Sequence, residues 1–546
     1  MARLTGGQVL TKSLIAQGID TIFALPGMQL DHLFAAFHDD RNSLRVVHTR
    51  HEQGAAYMAF GYAQSSGRIG AYAVVPGPGV LNTTAALATA WGCSTPVMCV
   101  TGQIPLHMID RGIGFLHEIP DQIGLLRHLT KFAARAEQVS EIPHVIEEAF
   151  RHLRSGRPRP CAMEVPLDVL PRRSETEPAK LAPGLPPPAP DPDEIERAAQ
   201  ILGKAENPLI FIGGGAVHAA AEVEELARAL EAPVIATRPA LGAISDRSDL
   251  VLPMQGGHDL WCKADAVIAI GTRFDPPIIN WGIDADLAIV RIDIDPVEIT
   301  RVHRPAASIA ADSRDALRAL LPALAKHNKK RTSKKDERLA HRADIRKRFE
   351  AKVAPQIAFL DAMRAALPED GFFVEEITQV GYVARFMFPI YRPRGFVTSG
   401  FQGTLGFGLS TALGAKVANP DKKVLAIAGD GGFMFQVQEM ATAMRHGIDI
   451  TVVLFNDGHF GNVRRNQIEV LGGREIAVDF RNPDFMKLAD SFGWNGARVK
   501  TAPELQAAVA KSFATPGPTL IEVPVGEFPS PWSFWHLPKV RPIRLV

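Results

Sequence analysis

Two acidic residues follow buried apolar runs in the C-terminal third of the chain. Asp430 lies in the sequence GDGG (429–432), and Asp457 lies in NDGH (456–459). Each apolar run is typical of a strand in a parallel sheet, so both carboxylates are expected at the same sheet edge. Glycines let backbone N–H groups approach an anion, and oxygen ligands beside a phosphate suit a Mg²⁺ that bridges to a diphosphate. The alternative is a glycine-rich turn with two solvated acids.

A helix is predicted between these two acidic segments. Its end is expected at Gly447, because glycine suits the left-handed position after a helix and the basic residues 445–446 complement the helix dipole. One face of this helix would carry four apolar residues: Met434, Val437, Ala441 and Met444.

A third acid, Glu52, lies near the N-terminus in the sequence RHEQGA (50–55), where a strand is expected to end and a helix to begin. On its own, an acid at this place is best explained by the favourable helix dipole. Further along, the sequence PGPGVLN (76–82) contains Pro78 and Asn82. On its own, this sequence indicates only a tight turn.

The composition excludes several classes of protein. The chain has 546 residues and a formal charge of +1, whereas a nucleic-acid-binding protein normally has a basic excess. No apolar run approaches the roughly 20 residues of a membrane span, and the N-terminus lacks a signal-peptide pattern. The four cysteines are scattered without a CxxC pair. These observations predict a soluble, cytoplasmic protein with reduced thiols.

Two stretches interrupt the globular pattern. Residues 174–194 are rich in proline and acid, which is typical of a semi-rigid linker. Residues 326–350 are densely charged and favour a solvated linker, with a linker running into a helix and an exposed basic patch as alternatives. We therefore predict three domains, at residues 1–173, 195–325 and 351–546.

Short apolar runs alternate with helical patterns in all three domains. Runs without polar alternation indicate strands that are buried on both faces of a parallel sheet. The predicted fold class is α/β, with three open parallel-sheet domains that bind ligands at the carboxyl ends of their strands. The expected strands lie at 21–25, 44–49, 69–75 and 96–102, then at 208–215, 232–237, 266–272 and 288–295, and finally at 423–429 and 449–455.

The GDG–ND pair and RHEQGA together resemble the fingerprint of thiamine-diphosphate-dependent enzymes, and the resemblance covers essentially the whole chain. It implies a Mg²⁺ held by Asp430, Asp457 and the backbone oxygen of His459. The family usually has asparagine at the second position; Asp457 keeps an oxygen ligand but adds a negative charge. The resemblance also implies that Glu52 contacts the aminopyrimidine ring of the cofactor and promotes formation of the thiazolium ylide.

The resemblance extends to the segment TSGFQGTLGFG (398–408), which is similar to the family's cofactor loop. Leu405 would wedge the cofactor into a bent shape; without the loop, it would be assigned to the core. Gly403 would offer its carbonyl to the 4′-amino group, and Gln379 would reach the diphosphate. The cofactor-binding residues implied by the resemblance are Pro78, Asn82, Gln379, Gly403, Thr404, Leu405, Gly429, Asp430, Gly431, Gly432, Asp457, His459, Phe460 and Gly461.

Besides Glu52, two candidate catalytic residues, His117 and Gln122, lie in the loop GFLHEIPDQ (114–122). His117 would serve as a proton donor, although a lone loop histidine is more often structural. The aromatic, proline-rich segment 527–538 suits a lid that excludes water, and its tryptophans equally suit a cap on the core or on a subunit interface.

The family's chemistry is addition of the cofactor to the carbonyl of a 2-oxo acid, giving an enamine that is protonated or attacks a second carbonyl. The motifs look closest to the acetolactate synthase branch, which favours a carboligase. Leu167 and Asn466 stand where that branch has lysine and tryptophan, so its usual acceptors are in doubt. A 2-oxo acid decarboxylase and a C–C hydrolase are the alternatives, since other branches of the family remain open. A regulatory protein that binds thiamine diphosphate without turnover is disfavoured because Glu52 is present.

The central domain, with three glycines at 213–215, resembles the family's middle domain. Some members bind FAD there, and others bind ADP or nothing. A nucleotide-linked oxidoreductase is a distant alternative, because GxGxxG with a ribose-binding acid is absent there. Glu52 and Asp430 lie on different domains, and in the family these domains meet across subunits. The resemblance therefore implies a homodimer at least, with a tetramer common.

Overall fold

The computed structural model describes residues 3–542 of the chain. It contains three six-stranded sheets that follow one another in the sequence. Every pairing within these sheets is parallel. The prediction of an α/β fold with three open parallel-sheet domains is confirmed.

The first sheet contains the four expected strands and two more. The additional strand Cys161–Pro166 includes Glu164, which is fully buried and interrupts the apolar run by which a strand is recognised. In spatial order the strands are Arg45–His48, Thr21–Ala24, Gly70–Val74, Val97–Gln103, Cys161–Pro166 and Phe132–Arg135. The α-helices are Gly6–Ala16, Asp31–Asp39, Glu52–Ser66, Pro78–Gly92, Gln122–Leu129 and Ile142–Arg154. A short antiparallel pair, Leu4–Thr5 with Arg173–Ser174, joins the two ends of this region.

The central sheet has the spatial order Val251–Leu252, Val234–Ala236, Pro208–Ile212, Ala266–Ile270, Ala288–Asp293 and Ala307–Ala310. Its α-helices are Pro192–Lys204, Ala220–Leu230, Met254–Trp261, Pro296–Thr300 and Ser313–His327. The glycines that follow the strand Pro208–Ile212 allow the loops after neighbouring strands to pack closely. A Cβ atom at Gly213 would lie 2.2 Å from the carbonyl oxygen of Gly271, and the N–H of Gly215 donates to that same oxygen.

The C-terminal sheet has the spatial order Phe396–Val397, Phe372–Val374, Val424–Gly429, Thr451–Asn456, Thr519–Pro524 and Asn495–Arg498. Its α-helices are Lys335–Ala366, Gly381–Met387, Gly408–Ala418, Asp430–Phe433, Glu439–His446, Gly461–Glu469, Phe485–Ser491 and Ala502–Ala514. Among residues 3–542, none of the helices has both the length and the apolar character that crossing a bilayer requires.

The expected helix after Asp430 is broken into two pieces, and the expected apolar face was wrong. Met434 and Met444 are partly exposed, at 36% and 43%, whereas Phe433, Met440 and Ala443 enter the core. Between the two pieces, residues 434–438 form turns, and the side chain of one glutamine in these turns is fully buried. This residue, Gln436, accepts a hydrogen bond from Ser410 at 2.8 Å and donates to Gln53 at 2.7 Å. The helix end at Gly447 is as expected, with φ +62°.

The charged stretch 326–350 runs into a helix that begins at Lys335. Ile345 and Phe349, both inside this stretch, are fully buried. Arg338 is only 5% exposed, and its guanidinium pairs with Glu231 and Asp249. The alternative of a linker that leads into a helix therefore describes this stretch better than a fully solvated linker.

The first and third domains meet through two helices, Glu52–Ser66 and Gly408–Ala418. A Cβ atom at Gly61 would lie 2.0 Å from the Thr411 carbonyl oxygen, and one at Gly414 would lie 2.0 Å from the Met58 carbonyl oxygen. Backbone therefore faces backbone on both sides of the contact, and there is no flexible side chain to move away. This contact places the helix that begins at Glu52 against the C-terminal domain.

Replacing Gly414 with alanine is expected to separate these helices and to lower the free energy of unfolding by about 2 kcal/mol or more, because overpacking against backbone cannot be relieved by a rotamer change. Urea unfolding followed by circular dichroism measures the effect. Gly526→Ala is the matched control, since a Cβ atom there meets no atom within 4 Å. Equal midpoints for the two variants would contradict the packing argument.

Candidate functional site

The two acids of the C-terminal domain lie at one sheet edge. The strands Val424–Gly429 and Thr451–Asn456 are neighbours, with Gly429 opposite Phe455. Asp430 directly follows the first strand, and Asp457 directly follows the second. Because the strands are parallel, both carboxylates emerge at the carboxyl edge of the sheet, where ligands bind in open α/β domains.

Asp430 is 1% exposed and held by neutral donors. One of its oxygens accepts the N–H of Gly458 at 2.8 Å and the side-chain amide of Asn482 at 2.5 Å. The same amide donates to Asn456 at 2.9 Å. Asn482 therefore links the two strand ends. Sequence reasoning missed it, because it lies in a long connecting segment without a recognisable motif.

Asp457 accepts hydrogen bonds from the side chain of Gln379 at 2.7 Å and from the N–H of His459 at 3.1 Å. Burial and the nearby charge of Asp430 raise the pKa of Asp457 to about 6. Two partly buried carboxylates that repel each other are stabilised by a divalent cation. The donor set, oxygen atoms only, is the one that Mg²⁺ prefers. In the described part of the chain, no group of three or more acidic, histidine or cysteine side chains is arranged so that it could hold a metal ion. A metal here would therefore need backbone, water or phosphate oxygens as additional ligands.

A cleft of about 110 Å³ opens beside Asp457. Four of its lining residues were expected at the cofactor: Gln379, Asp457, His459 and Gly461. The other four were not among the predicted site residues: Arg464, Arg465, Gly526 and Glu527. The two arginines lie in the helix that begins at Gly461, and their position just after the NDGH sequence was the available signal.

The glycine-rich turn at 429–432 allows close packing at the site. A Cβ atom at Gly431 would lie 2.8 Å from the ring of Phe460. A Cβ atom at Gly432 would lie 2.4 Å from a carboxylate oxygen of Glu376. The turn therefore has no room for larger residues at these positions.

The loop 403–405 lies beside this turn. Gly406, which follows the loop, donates its N–H to Glu376 at 2.5 Å. Glu376 is fully buried, and burial raises its pKa to about 8. Thr404 lies within 3.3 Å of the Thr89 hydroxyl. Leu405 has intermediate exposure and belongs to none of the hydrophobic core clusters, so its side chain remains accessible at the edge of the site.

Glu52 begins a helix in the first domain, and its carboxylate accepts a 3.0 Å hydrogen bond from the side chain of Asn82. Pro78 begins the helix that carries Asn82, where its fixed φ suits the first turn. Glu52, Pro78 and Asn82 therefore form one group. Among the described residues, no hydrogen bond joins Glu52 or Asn82 to the Asp430–Asp457 edge or to the loop 403–405.

His117 and Gln122 have different environments. The His117 Nδ1 lies 3.0 Å from the side-chain oxygen of Gln29, and the ring is partly exposed. Gln122 is 1% exposed and its amide is fully used. It donates to Gly102 O at 3.1 Å and Glu164 at 2.8 Å, and it accepts the N–H of Gly77 at 2.8 Å. These contacts fix the turn before Pro78, and the role of Gln122 as a catalytic residue stays a prediction.

The C-terminal aromatic segment packs against the third domain. The ring of Phe534 stacks on Phe349 at 3.7 Å, and Trp532 lies 4.8 Å from the ring of Tyr382. The segment also reaches the cleft, because Gln379 accepts the N–H of Phe528 at 2.8 Å. It thus caps the core and forms one wall of the site.

Gln122→Leu is expected to lower the free energy of unfolding by about 3 kcal/mol, because three buried hydrogen-bonding partners would lose their contacts. Thermal unfolding of the protein without added ligands measures this change. Gln506→Leu, at an exposed position of the helix Ala502–Ala514, is the control. An unchanged midpoint together with lost turnover would instead indicate a direct catalytic role for Gln122.

Three family models match the chain in sequence order. They are described as the N-terminal TPP binding domain, the central domain and the C-terminal TPP binding domain of thiamine pyrophosphate enzymes, and they match residues 4–125, 195–320 and 376–523. The models separate the same three regions as the sheets do.

Similar proteins match over nearly the whole chain. The acetolactate synthase isozyme 1 large subunit of Escherichia coli (strain K12) is 31% identical, with 95% of this chain and 94% of the relative covered. The probable 2-ketoarginine decarboxylase AruI of Pseudomonas aeruginosa is 32% identical, with the same two shares covered. The acetolactate synthase large subunit of Corynebacterium glutamicum is 31% identical over 97% of this chain and 88% of the relative.

Proposed function

Because the chain belongs to the thiamine pyrophosphate enzyme family, we propose that it is a Mg²⁺-dependent carboligase of the acetolactate synthase type that acts on 2-oxo acids. The observation that carries this proposal is the pairing of Asp430 and Asp457 at one sheet edge, together with the separate Glu52–Asn82 pair. These are the two halves that thiamine diphosphate requires, one for its diphosphate and one for its aminopyrimidine ring.

The residues of the chain have distinct roles in this proposal. Asp430, Asp457 and the carbonyl of His459 hold Mg²⁺, and the backbone of the turn 429–432 binds the diphosphate. Thiamine diphosphate, when bound, supplies the electron sink for breaking or forming a bond beside a carbonyl. The carboxylate of Glu52 orients the aminopyrimidine ring and holds a proton there, while Asn82 keeps this carboxylate in place.

His117 is the candidate proton donor for the substrate, because its ring is partly exposed and is oriented by Gln29. Leu405 supports the cofactor from the edge of the loop 403–405. Phe460 and Gly461 begin the helix beside the cleft, and the N–H groups at a helix start favour the diphosphate.

We do not propose a flavin-binding site in the central domain. Two of its three consecutive glycines are explained by packing, since the N–H groups of Gly213 and Gly215 already donate to the carbonyls of Ile270 and Gly271. These amides are not free to receive a phosphate. The proposed cofactors are thiamine diphosphate and Mg²⁺.

A 2-oxo acid decarboxylase is the second candidate. It is favoured by the similarity to a probable 2-ketoarginine decarboxylase and by the departures at Leu167 and Asn466. The two candidates are distinguished by supplying thiamine diphosphate, Mg²⁺ and a panel of 2-oxo acids, then measuring CO₂ and condensed products. One coupled product per CO₂ supports a carboligase; free aldehyde alone supports the decarboxylase. Absence of thiamine diphosphate binding by calorimetry would contradict both.

Glu52→Gln is expected to retain thiamine diphosphate binding within a few-fold, because the amide still fits beside Asn82. It should lose at least about 100-fold in turnover, since a neutral amide cannot hold the proton. Calorimetry measures the first effect, and exchange of the cofactor's C2 proton, followed by NMR, measures the second. Glu177→Gln, at an exposed linker position, is the control. Unchanged proton exchange would contradict the role of Glu52.

We also propose that the active unit is a homodimer in which Glu52 of one chain serves the Asp430 edge of the other. This follows the arrangement in the thiamine-diphosphate family, where the domain that carries Glu52 and the domain that carries Asp430 meet across subunits. Within one chain, Glu52 and Asn82 form no hydrogen bond to the Asp430–Asp457 edge among the described residues, although the neighbouring Gln53 accepts a hydrogen bond from Gln436. Glu52→Gln and Asp430→Ala are each expected to be inactive. Co-refolding equal amounts should recover about a quarter of wild-type activity, because half of the dimers are mixed and each has one intact site. No recovery would indicate that each site is built within one chain.

A further inference from the structure

Two arginines line the cleft beside Asp457, although a metal site does not itself require cationic side chains. Arg464 and Arg465 lie on the second turn of the helix that begins at Gly461, and both line the cleft. Two carboxylates, Asp457 and Glu527, also line the cleft. With a divalent cation bound at Asp457, the two guanidinium groups of this cleft of about 110 Å³ favour a small, highly charged anion.

The two arginines are fixed in different ways. Arg465 has a side chain only 7% exposed, and it donates to the carbonyl of Phe528 at 2.8 Å. Arg464 is 30% exposed and pairs with Glu475 at 2.6 Å. Both arginines line the same cleft as Asp457.

Both arginines also contact one carboxylate. The oxygens of Glu527 lie 3.5 Å from Arg465 Nε and 3.9 Å from Arg464 Nη1. These separations are longer than those of close ion pairs, and Glu527 is half-exposed. An anion that entered the cleft would compete with Glu527 for both guanidinium groups.

The two arginines contribute to the net charge that a diphosphate would meet at the metal site. Asp430 and Asp457 together carry the charge that offsets a divalent cation, so the metal brings no net positive charge to a diphosphate. An amide in place of Asp457 would leave one unit of positive charge. Arg464 and Arg465 replace the positive charge that the carboxylate at position 457 removes.

We infer that Arg464 and Arg465 form a cationic clamp for the diphosphate of thiamine diphosphate, which compensates for the acidic residue Asp457. This inference rests on the proposed function, because it requires the cofactor to bind beside Asp457. Glu475 is the close ion-pair partner of Arg464, and Glu527 lies near both arginines at longer distance. A bound diphosphate would take the place of Glu527 beside the two guanidinium groups.

The clamp is tested by isothermal titration calorimetry with thiamine diphosphate and Mg²⁺, and separately with inorganic diphosphate and Mg²⁺. Arg464→Met and Arg465→Met should each weaken binding of both ligands by about tenfold or more, as expected for loss of a charge-assisted hydrogen bond. The salt dependence of the affinity should also decrease. Arg474→Met is the matched control, because Arg474 is exposed on the same segment and does not line the cleft.

Two further variants separate a clamp from a purely structural role. Glu527→Gln removes the competing carboxylate and should preserve or increase the affinity for inorganic diphosphate. Asp457→Asn, added to Arg464→Met, should recover most of the lost affinity, because the metal then contributes its net positive charge. Weaker binding by Glu527→Gln, or no recovery in the double variant, would overturn the inference.

The outcome also distinguishes this inference from the proposed function. If the wild-type protein binds no thiamine diphosphate, the proposed function fails. If the wild type binds it and the arginine variants bind it equally well, only the clamp fails. Thermal unfolding of each variant without ligand identifies any that do not fold. If Arg465→Met is among these, Arg464→Met and the double variant decide the result.

Discussion

The repulsion between Asp430 and Asp457 is the constraint on which the site depends. Two adjacent parallel strands end in these acids, so the sheet itself brings like charges together. Neutral donors, including Asn482 and Gln379, hold the carboxylates in place without cancelling their charge. Two carboxylates held close together in this way favour a bound cation.

The loops around the sheet edge are connected through shared hydrogen-bonding partners. Gln379 contacts both Asp457 and the C-terminal segment, and Glu376 accepts the N–H of Gly406 just after the loop 403–405. Shared partners restrict the motion of each loop, and a preorganised site loses less entropy when a ligand binds.

Much of the fold could be predicted from the sequence, because strands such as Ala266–Ile270 are continuous apolar runs. Cys161–Pro166 was missed because a buried Glu164 interrupts its pattern, and the partners of this carboxylate, Gln103, Gln122 and Arg135, are distant in sequence.

The helix after Asp430 failed for a similar reason, since a buried glutamine breaks it through contacts that no local pattern reveals. At the site, motifs located Asp430, Asp457 and Glu52. Asn482 and Glu527 lie in segments without motifs, and only the three-dimensional arrangement brings Asn482 to Asp430 and Glu527 to the cleft.

The position of the last strand has a consequence for biosynthesis. Thr519–Pro524 lies inside the C-terminal sheet, between Thr451–Asn456 and Asn495–Arg498. One edge of Thr451–Asn456 therefore stays unpaired during synthesis until Thr519–Pro524, the last strand of this sheet in the sequence, has been translated. The strands of the first two domains are translated earlier, and domains generally fold as units during synthesis. The C-terminal sheet closes only when its last strand arrives, so the growing chain exposes an unpaired strand edge to which another strand can bind in the meantime.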